Sequence, residues 1–245
     1  MMTEKNQSVS KALFDKGYCF VPGAMMQEYV TDPGWSALVS QWGDLGPDNY
    51  LNSPHMYRLR RYGQLTYVPG ERLVARLPEV AYFQSDDINR FAGGKHRQFF
   101  PLTDELIQNA IFRRLLAASF AAFELPSEYC LRQWTADVHQ FRIVSQAPAV
   151  QGHPTPEGVH RDGFPFGSIH LLRRERMVGG ETTMYTLRDQ PIESLTLAAP
   201  MDSMFVVDTR VKHGVSSVSA EDARGGVRDI LIFGFYLPGS LYDRG

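Results

Sequence analysis

Beyond residue 129 the chain runs in short segments that alternate apolar with polar positions and are rich in β-branched and aromatic residues. These segments are 138–144, 158–162, 168–172, 181–187, 194–198, 203–208, 214–218 and 227–237, each separated from the next by glycine, proline or charge. A period of two predicts half-buried strands, and about eight of them at this spacing predict a double-sheet, cupin-like jelly roll. The first half reads differently. Residues 9–16 predict a short helix, 17–23 a strand closed by a turn, 35–42 a second helix and 56–68 a partly covered strand pair. The clearest helix starts at Thr103, a capping residue, with Asp104 and Glu105 at its positive end. Ile107, Ile111, Leu115 and Ala118 then carry helical spacing on toward Pro126. The expected fold is mainly β with flanking helices. It is a single domain over 1–245, with a β core at 129–240 and a mixed α/β elaboration at 1–128 packed on the barrel.

Composition narrows the function classes. A chain of 245 residues with 43% hydrophobic content can bury a full core. Its formal net charge of −2 provides no overall basic field for nucleic acid or an anionic membrane. The basic runs at 58–61 and 173–176 are short enough to be solvated strand edges or turns. Within 56–68, however, Tyr57, Arg58, Arg60, Tyr62 and Tyr67 alternate, as either a structural stripe or one wall of a polar pocket. The two cysteines, Cys19 and Cys130, have no metal or redox spacing and read as small apolar fillers in a reducing cytoplasm. The N-terminus lacks the charged start and apolar core of a signal peptide, and no apolar run reaches membrane-spanning length. Gly93-Gly94-Lys95 invites a phosphate-loop reading. It fails for want of the flanking glycine spacing and of a Ser or Thr after the lysine.

The chemistry concentrates at Gly158-Val159-His160-Arg161-Asp162-Gly163. His160 and Asp162 are two apart, so on an extended strand both side chains leave one face. His213, in Lys212-His213-Gly214, is placed to join them from another strand. Any one of these histidines taken alone is more often structural. Two imidazoles and a carboxylate with open positions opposite, however, are the ligand set of mononuclear non-haem iron(II) oxygenases. His170 is a rival ligand, and its ordinary reading is a core histidine or one that supports the ligands. In the run 228–234 the alternation aligns Arg228 with Ile230, Ile232 and Gly234. A charge on a core face is costly unless a carboxylate meets it, and a guanidinium suits the far carboxylate of a dicarboxylic co-substrate. Arg224, in a glycine-rich turn, reads as exposed. Gln140 and Arg142 share a face that either lines the barrel mouth or meets solvent.

Over most of residues 82–237 the chain resembles the bacterial iron(II)/2-oxoglutarate-dependent dioxygenases that hydroxylate free L-amino acids, typified by L-isoleucine dioxygenase. The resemblance rests on 82–85, Gly93-Gly94-Lys95 with Arg97-Gln98-Phe99, and His139-Gln140 with Arg142. It continues through the His160/Asp162 pair, His170-Leu171, Gly179-Gly180, His213 and 228–231. It implies a double-stranded β-helix, with iron(II) held by His160, Asp162 and His213, and Arg228 gripping 2-oxoglutarate. Dioxygen would be the second co-substrate and a free amino acid the small-molecule substrate. Arg97, Gln140 and Arg142 are the candidates for substrate binding. Residues 163–168 are more aromatic and glycine-rich than the isoleucine enzyme leads one to expect, and they follow the metal motif directly. Two alternatives compete: the same chemistry on a peptide, protein side chain or other metabolite, and a non-catalytic cupin-like binding module.

Overall fold

A computed structural model of the chain describes residues 2–86, 88–89 and 91–243, with side chains from residue 8 onward. Helix α1 (Met2–Lys16) leads into strand β1 (Tyr18–Val21), and short helices α2 (Gln27–Val30) and α3 (Trp35–Ser40) follow. Next come β2 (Gly46–Pro47), the long β3 (Arg58–Val68), β4 (Leu73–Arg76) and β5 (Phe100–Pro101). Helices α4 (Asp104–Gln108), α5 (Ala110–Ala121) and α6 (Ser127–Cys130) precede β6 (Trp134–Ser145), β7 (Phe166–Glu175) and β8 (Met177–Gly179). The chain closes with β9 (Glu181–Tyr185), β10 (Pro191–Thr196), β11 (Ser203–Val206), β12 (Lys212–Val215), β13 (Val218–Ala220) and β14 (Gly226–Tyr236).

A nine-stranded sheet runs in the order β1-β11-β7-β14-β6-β3-β2, with β4 and β5 also paired to β3. A smaller sheet, β10-β9-β12, and the pair β13-β8 accompany it. This is the double-stranded β-helix, mainly β with helices alongside. Among the described residues no helix is long and apolar enough to cross a membrane.

The alternation along each long strand sorts residues between two environments. Leu231, Phe233 and Phe235 of β14 join Trp134, Ala136 and Val138 of β6 and Leu65 and Tyr67 of β3 in the larger core. That core also takes Ile111, Phe112, Leu115, Leu116 and Phe120 of α5, so the helix covers this face of the sheet. Full burial of one such side chain is worth about 1.5–3 kcal/mol, which accounts for the large apolar cluster between this face and α5. The opposite face carries Arg58, Arg60 and Tyr62 of β3, His139, Phe141 and Ile143 of β6, and Arg228, Ile230 and Ile232 of β14. The strand registers align these as rows: Arg58 beside Ile143 beside Arg228, then Arg60 beside Phe141 beside Ile230.

Several elements depart from the sequence-based expectation for local reasons. The single helix expected from Thr103 to the region of Pro126 is broken. Thr103 does cap it, accepting from the Leu106 amide at 3.1 Å. Asn109 then turns to extended backbone and its side chain accepts from the Ile111 and Phe112 amides, ending α4 and capping α5. An Asn oxygen competes for backbone donors in this way and favours caps over helix interiors. Residues 158–162 form no strand. Gly158 and Gly163 both have positive φ, at 78° and 85°, and between them only the single bridge His160–His213 forms. The expected strand 214–218 is two strands, β12 and β13, which belong to different sheets.

Candidate metal centre and cavity

The turn that replaces the expected strand still brings the three residues together. Ligand-capable atoms of His160, Asp162 and His213 all lie within 4.8 Å of one another. His160 Nε2 is 3.4 Å from Asp162 Oδ1, and His213 Nε2 is 3.9 Å from Asp162 Oδ2. Three contacts hold this arrangement. The His160 and His213 backbones exchange both hydrogen bonds, at 2.9 and 3.0 Å. His160 Nδ1 donates to the Gly158 carbonyl at 3.0 Å, which leaves Nε2 as the free lone pair. Asp208, buried at 4% exposure, accepts from the amides of Asp162 and Gly163 at 2.8 Å each, fixing the turn from behind.

The electrostatics of the cluster suit a cation. Burial opposes charge on His160, but Glu157 and Asp162 outweigh it and push its pKa up to about 9. For Asp162, burial is overcome by the two histidines, which hold the carboxyl well below the usual range. Burial pushes His213 down to about 4 and, with help from Asp162, pushes Asp208 up to about 7. A half-buried anion flanked by two buried imidazoles, with one side facing a cavity, is a donor set that fits iron(II).

The cavity beside these residues is lined by both sheets and by the loop around residues 84–97. Arg228 opens into it with Ile230 and Ile232, as the alternation of β14 requires. It is 4% exposed, its Nε has no partner, and no carboxylate pairs with it among the described residues. Burial and the nearby Arg174 push its pKa down to about 10. Arg97 also lines the cavity, over the Tyr82 ring at 4.7 Å, with one guanidinium nitrogen on Gln84 Oε1 at 2.8 Å and Nε unpartnered.

Gln140 and Arg142 do not reach the cavity, which corrects the expectation for both. On β6 the cavity takes 139, 141 and 143, so 140 and 142 turn to the helix-covered face. Gln140 Nε2 donates to the Gln41 carbonyl at 3.3 Å. Arg142 makes a paired contact with the fully buried Asp229, at 2.7 and 2.8 Å, and Arg173 adds a third at 3.0 Å. His170 likewise points away from the metal ligands. Its ring nitrogens meet Ser203 Oγ at 2.7 Å and Ser119 and Ser168 Oγ at 2.9 Å, tying β7 to α5. Arg224 is exposed and bound to Asp222.

The structure adds cavity residues that the sequence left open or passed over. Arg58 and Arg60 of β3 realise the polar-wall alternative for the 56–68 stripe. Arg60 lies between the rings of Phe99 and Phe141, at 3.7 and 4.4 Å, and donates to His139 Nδ1 at 2.6 Å. His139 lines the cavity and places Nε2 3.0 Å from Asp137. Glu157 sits three residues before His160. Gln84 donates from Nε2 to the Asp162 carbonyl at 3.0 Å. The arginine alternation was the one usable signal; nothing in the local pattern marks Glu157 or Gln84.

A double-stranded β-helix with such a ligand cluster at its mouth defines a class, the non-haem iron oxygenases, and comparison with known proteins narrows it. The family model for 2OG-Fe dioxygenases matches residues 39–234, and the chain belongs to that family. Iron(II), 2-oxoglutarate and dioxygen are the cofactor and co-substrates on which the family's chemistry depends. The chain is 24% identical over 158 residues to L-isoleucine-4-hydroxylase of Bacillus thuringiensis, a match that covers 63% of this chain and 64% of the hydroxylase, less than two thirds of its length. A bsmA homologue from Methylobium petroleophilum PM1 shares the fold at a TM-score of 0.81, with 26% identity over 95% of this chain and 93% of that one. IDO from Bacillus thuringiensis does so at 0.75, with 18% identity over 97% and 99%.

Proposed function

We propose that the protein is an iron(II)/2-oxoglutarate-dependent dioxygenase that hydroxylates an unactivated C–H of a free L-amino acid. His160, Asp162 and His213 hold the iron, and Arg228 takes the far carboxylate of 2-oxoglutarate. When bound, iron with 2-oxoglutarate and dioxygen supplies C–H oxidation coupled to decarboxylation of the co-substrate to succinate and carbon dioxide. The protein's part is placement and exclusion of water. The Gly158 carbonyl keeps His160 in the tautomer whose Nε2 is free. Asp208 holds the backbone on either side of the Asp162 peptide, so the carboxylate approaches from one direction. Ile230 and Ile232 line the cavity along the strand from Arg228, an apolar floor that raises the worth of the guanidinium's paired contact.

The observation that carries this reading is Arg228 itself: a buried cation that no carboxylate pairs with among the described residues, opening into the same cavity as the ligand cluster. Such a charge is tolerated when a bound anion completes it. A free amino acid is favoured as substrate by the similarity to an L-isoleucine-4-hydroxylase. A screen of the twenty L-amino acids for stimulated succinate release tests it. One or a few should raise turnover well above the background without substrate. Stimulation by a peptide and by no free amino acid would overturn the choice of substrate, and no succinate under any condition would overturn the activity.

A further inference from the structure

The cavity holds a second set of buried cations, separate from Arg228. Arg58 and Arg60 stand on β3 and Arg228 on β14, with β6 between them. Two strand spacings separate the groups, roughly 10 Å. One guanidinium therefore serves 2-oxoglutarate while the others face a different part of the cavity. Arg58, Arg60 and Arg97 are 6%, 2% and 3% exposed, and all three line it. Asp48 is the carboxylate they have among the described residues. Arg58 takes it at 2.8 Å and Arg60 shares it at 3.6 Å. The Nε atoms of Arg60 and Arg97 are buried without partners. Both guanidiniums lie over the Tyr82 ring, at 5.3 and 4.7 Å, so they approach one another around a single aromatic wall. Among the described residues Asp48 is the one carboxylate ion-paired to these three cations, which are shut away from water, so positive charge is left for other carboxylates at the cavity.

Glu157 is the complement. It lines the same cavity, and its carboxylate lies 3.4 Å from His160 Nε2. That is the nitrogen left free for iron by the Gly158 contact. A metal at that nitrogen leaves the Glu157 carboxylate without a cation, at the edge of the cavity rather than within the 4.8 Å ligand cluster.

We propose that Arg60 and Arg97 take the substrate's carboxylate and Glu157 its ammonium, so that the cavity recognises an α-amino acid with both termini free. This rests on the free-amino-acid reading above and deepens it. A residue within a peptide offers neither charge, an N-acylated amino acid lacks the ammonium, and an amide lacks the carboxylate. Selection comes from a charge pair on the substrate meeting the opposite pair on the protein.

The test is anaerobic calorimetry on enzyme loaded with iron(II) and 2-oxoglutarate. The probes are L-isoleucine, or whichever amino acid the succinate screen selects, its des-amino acid (3-methylpentanoate for isoleucine), its amide and its N-acetyl form. A hydrogen bond to a charged group sets the scale, about tenfold to a hundredfold in affinity. The wild type should prefer the amino acid to each analogue by that factor. Glu157→Gln should weaken the amino acid by that factor and leave the des-amino acid within about threefold, erasing the preference for an amine. Arg97→Gln should erase the preference over the amide, and Arg60→Lys should do so in part. If the Arg60 variant does not fold, the Arg97 variant decides the carboxylate half. Iron stoichiometry of Glu157→Gln should match the wild type. Loss of iron in that variant as complete as in a histidine variant would make Glu157 a metal ligand and overturn its assignment. Equal weakening of the amino acid and its des-amino form would overturn the clamp alone. Failure of all twenty amino acids to bind or release succinate would overturn the substrate reading beneath it.

Discussion

Arg142 and Arg228 lie on neighbouring strands of the same sheet, one residue out of register, and they differ in every respect that matters. Arg142 pairs with Asp229, which turns to the helix-covered face, and its charge is answered within the chain. Arg228 turns to the cavity, its Nε is buried without a partner, and no carboxylate pairs with it among the described residues. The two buried histidines His170 and His213 repeat the contrast. Ser203 donates to the Met201 carbonyl, so its oxygen accepts from His170 Nδ1, while Ser119 and Ser168 face Nε2. Burial alone then holds the His170 ring neutral, at a pKa of about 3. His213 has Nδ1 unpartnered and Nε2 facing Asp162 across 3.9 Å. The closed, helix-covered face gives Arg142 and His170 partners within the chain and builds the fold; the cavity face leaves Nε of Arg60 and of Arg228 buried without a partner.

The comparison breaks most sharply at the metal cluster. His213→Ala should abolish tight iron binding and turnover with the fold retained, checked by iron stoichiometry and circular dichroism. Retained iron would remove His213 from the site. Next, Arg228→Ala should raise the apparent constant for 2-oxoglutarate by roughly two to three orders of magnitude, the scale of losing one partner of a buried charge pair. Arg228→Lys should recover only part, since an ammonium cannot make the planar paired contact. Arg224→Ala is the control and should leave the constant unchanged; equal damage from both alanine variants would move the anchor elsewhere.

On the closed face the expected losses are in stability rather than in ligand affinity. Arg142→Ala leaves Asp229 fully buried with Arg173 alone, and should cost about 3 kcal/mol by urea denaturation, with the 2-oxoglutarate constant little changed. A large rise in that constant with stability intact would return Arg142 to the cavity. The smallest effect is a pH dependence. His170 is depressed in the folded state, to about 3, and has an ordinary value of 6.5. Between those values the unfolded chain binds the extra proton, so the stability this group supports is complete above 6.5 and falls with acidification. From pH 7.5 to 5 the wild type should lose about 2 kcal/mol more than His170→Gln. Identical pH profiles for the two proteins would show that His170 takes up its proton without unfolding.

Most strands of the second half, the cap at Thr103, the order His160, Asp162, His213 and the alignment of Arg228 with Ile230 and Ile232 were legible in the sequence; the turn at 158–163 and the division of 214–218 between two sheets were not. Each legible feature depends on near neighbours, and a two-residue or helical period reports near neighbours faithfully. The break at Asn109 was missed because a continuous apolar period masks a side chain that prefers to cap. Which face of β6 becomes the cavity was not legible either. Gln140 and Arg142 share a parity, but parity says only that two residues go together, not where. That depended on Asp229, on a strand 87 residues further along the chain, claiming Arg142. In the same way Arg58 and Arg60 read equally well as a solvated stripe until β3 paired with β6 and turned them inward over Phe141. Glu157, Gln84 and Asp208 carry no periodic mark at all. Their roles exist only because the tertiary fold sets them against the turn at 160–163, where partners distant in sequence decide which charges are closed and which remain open.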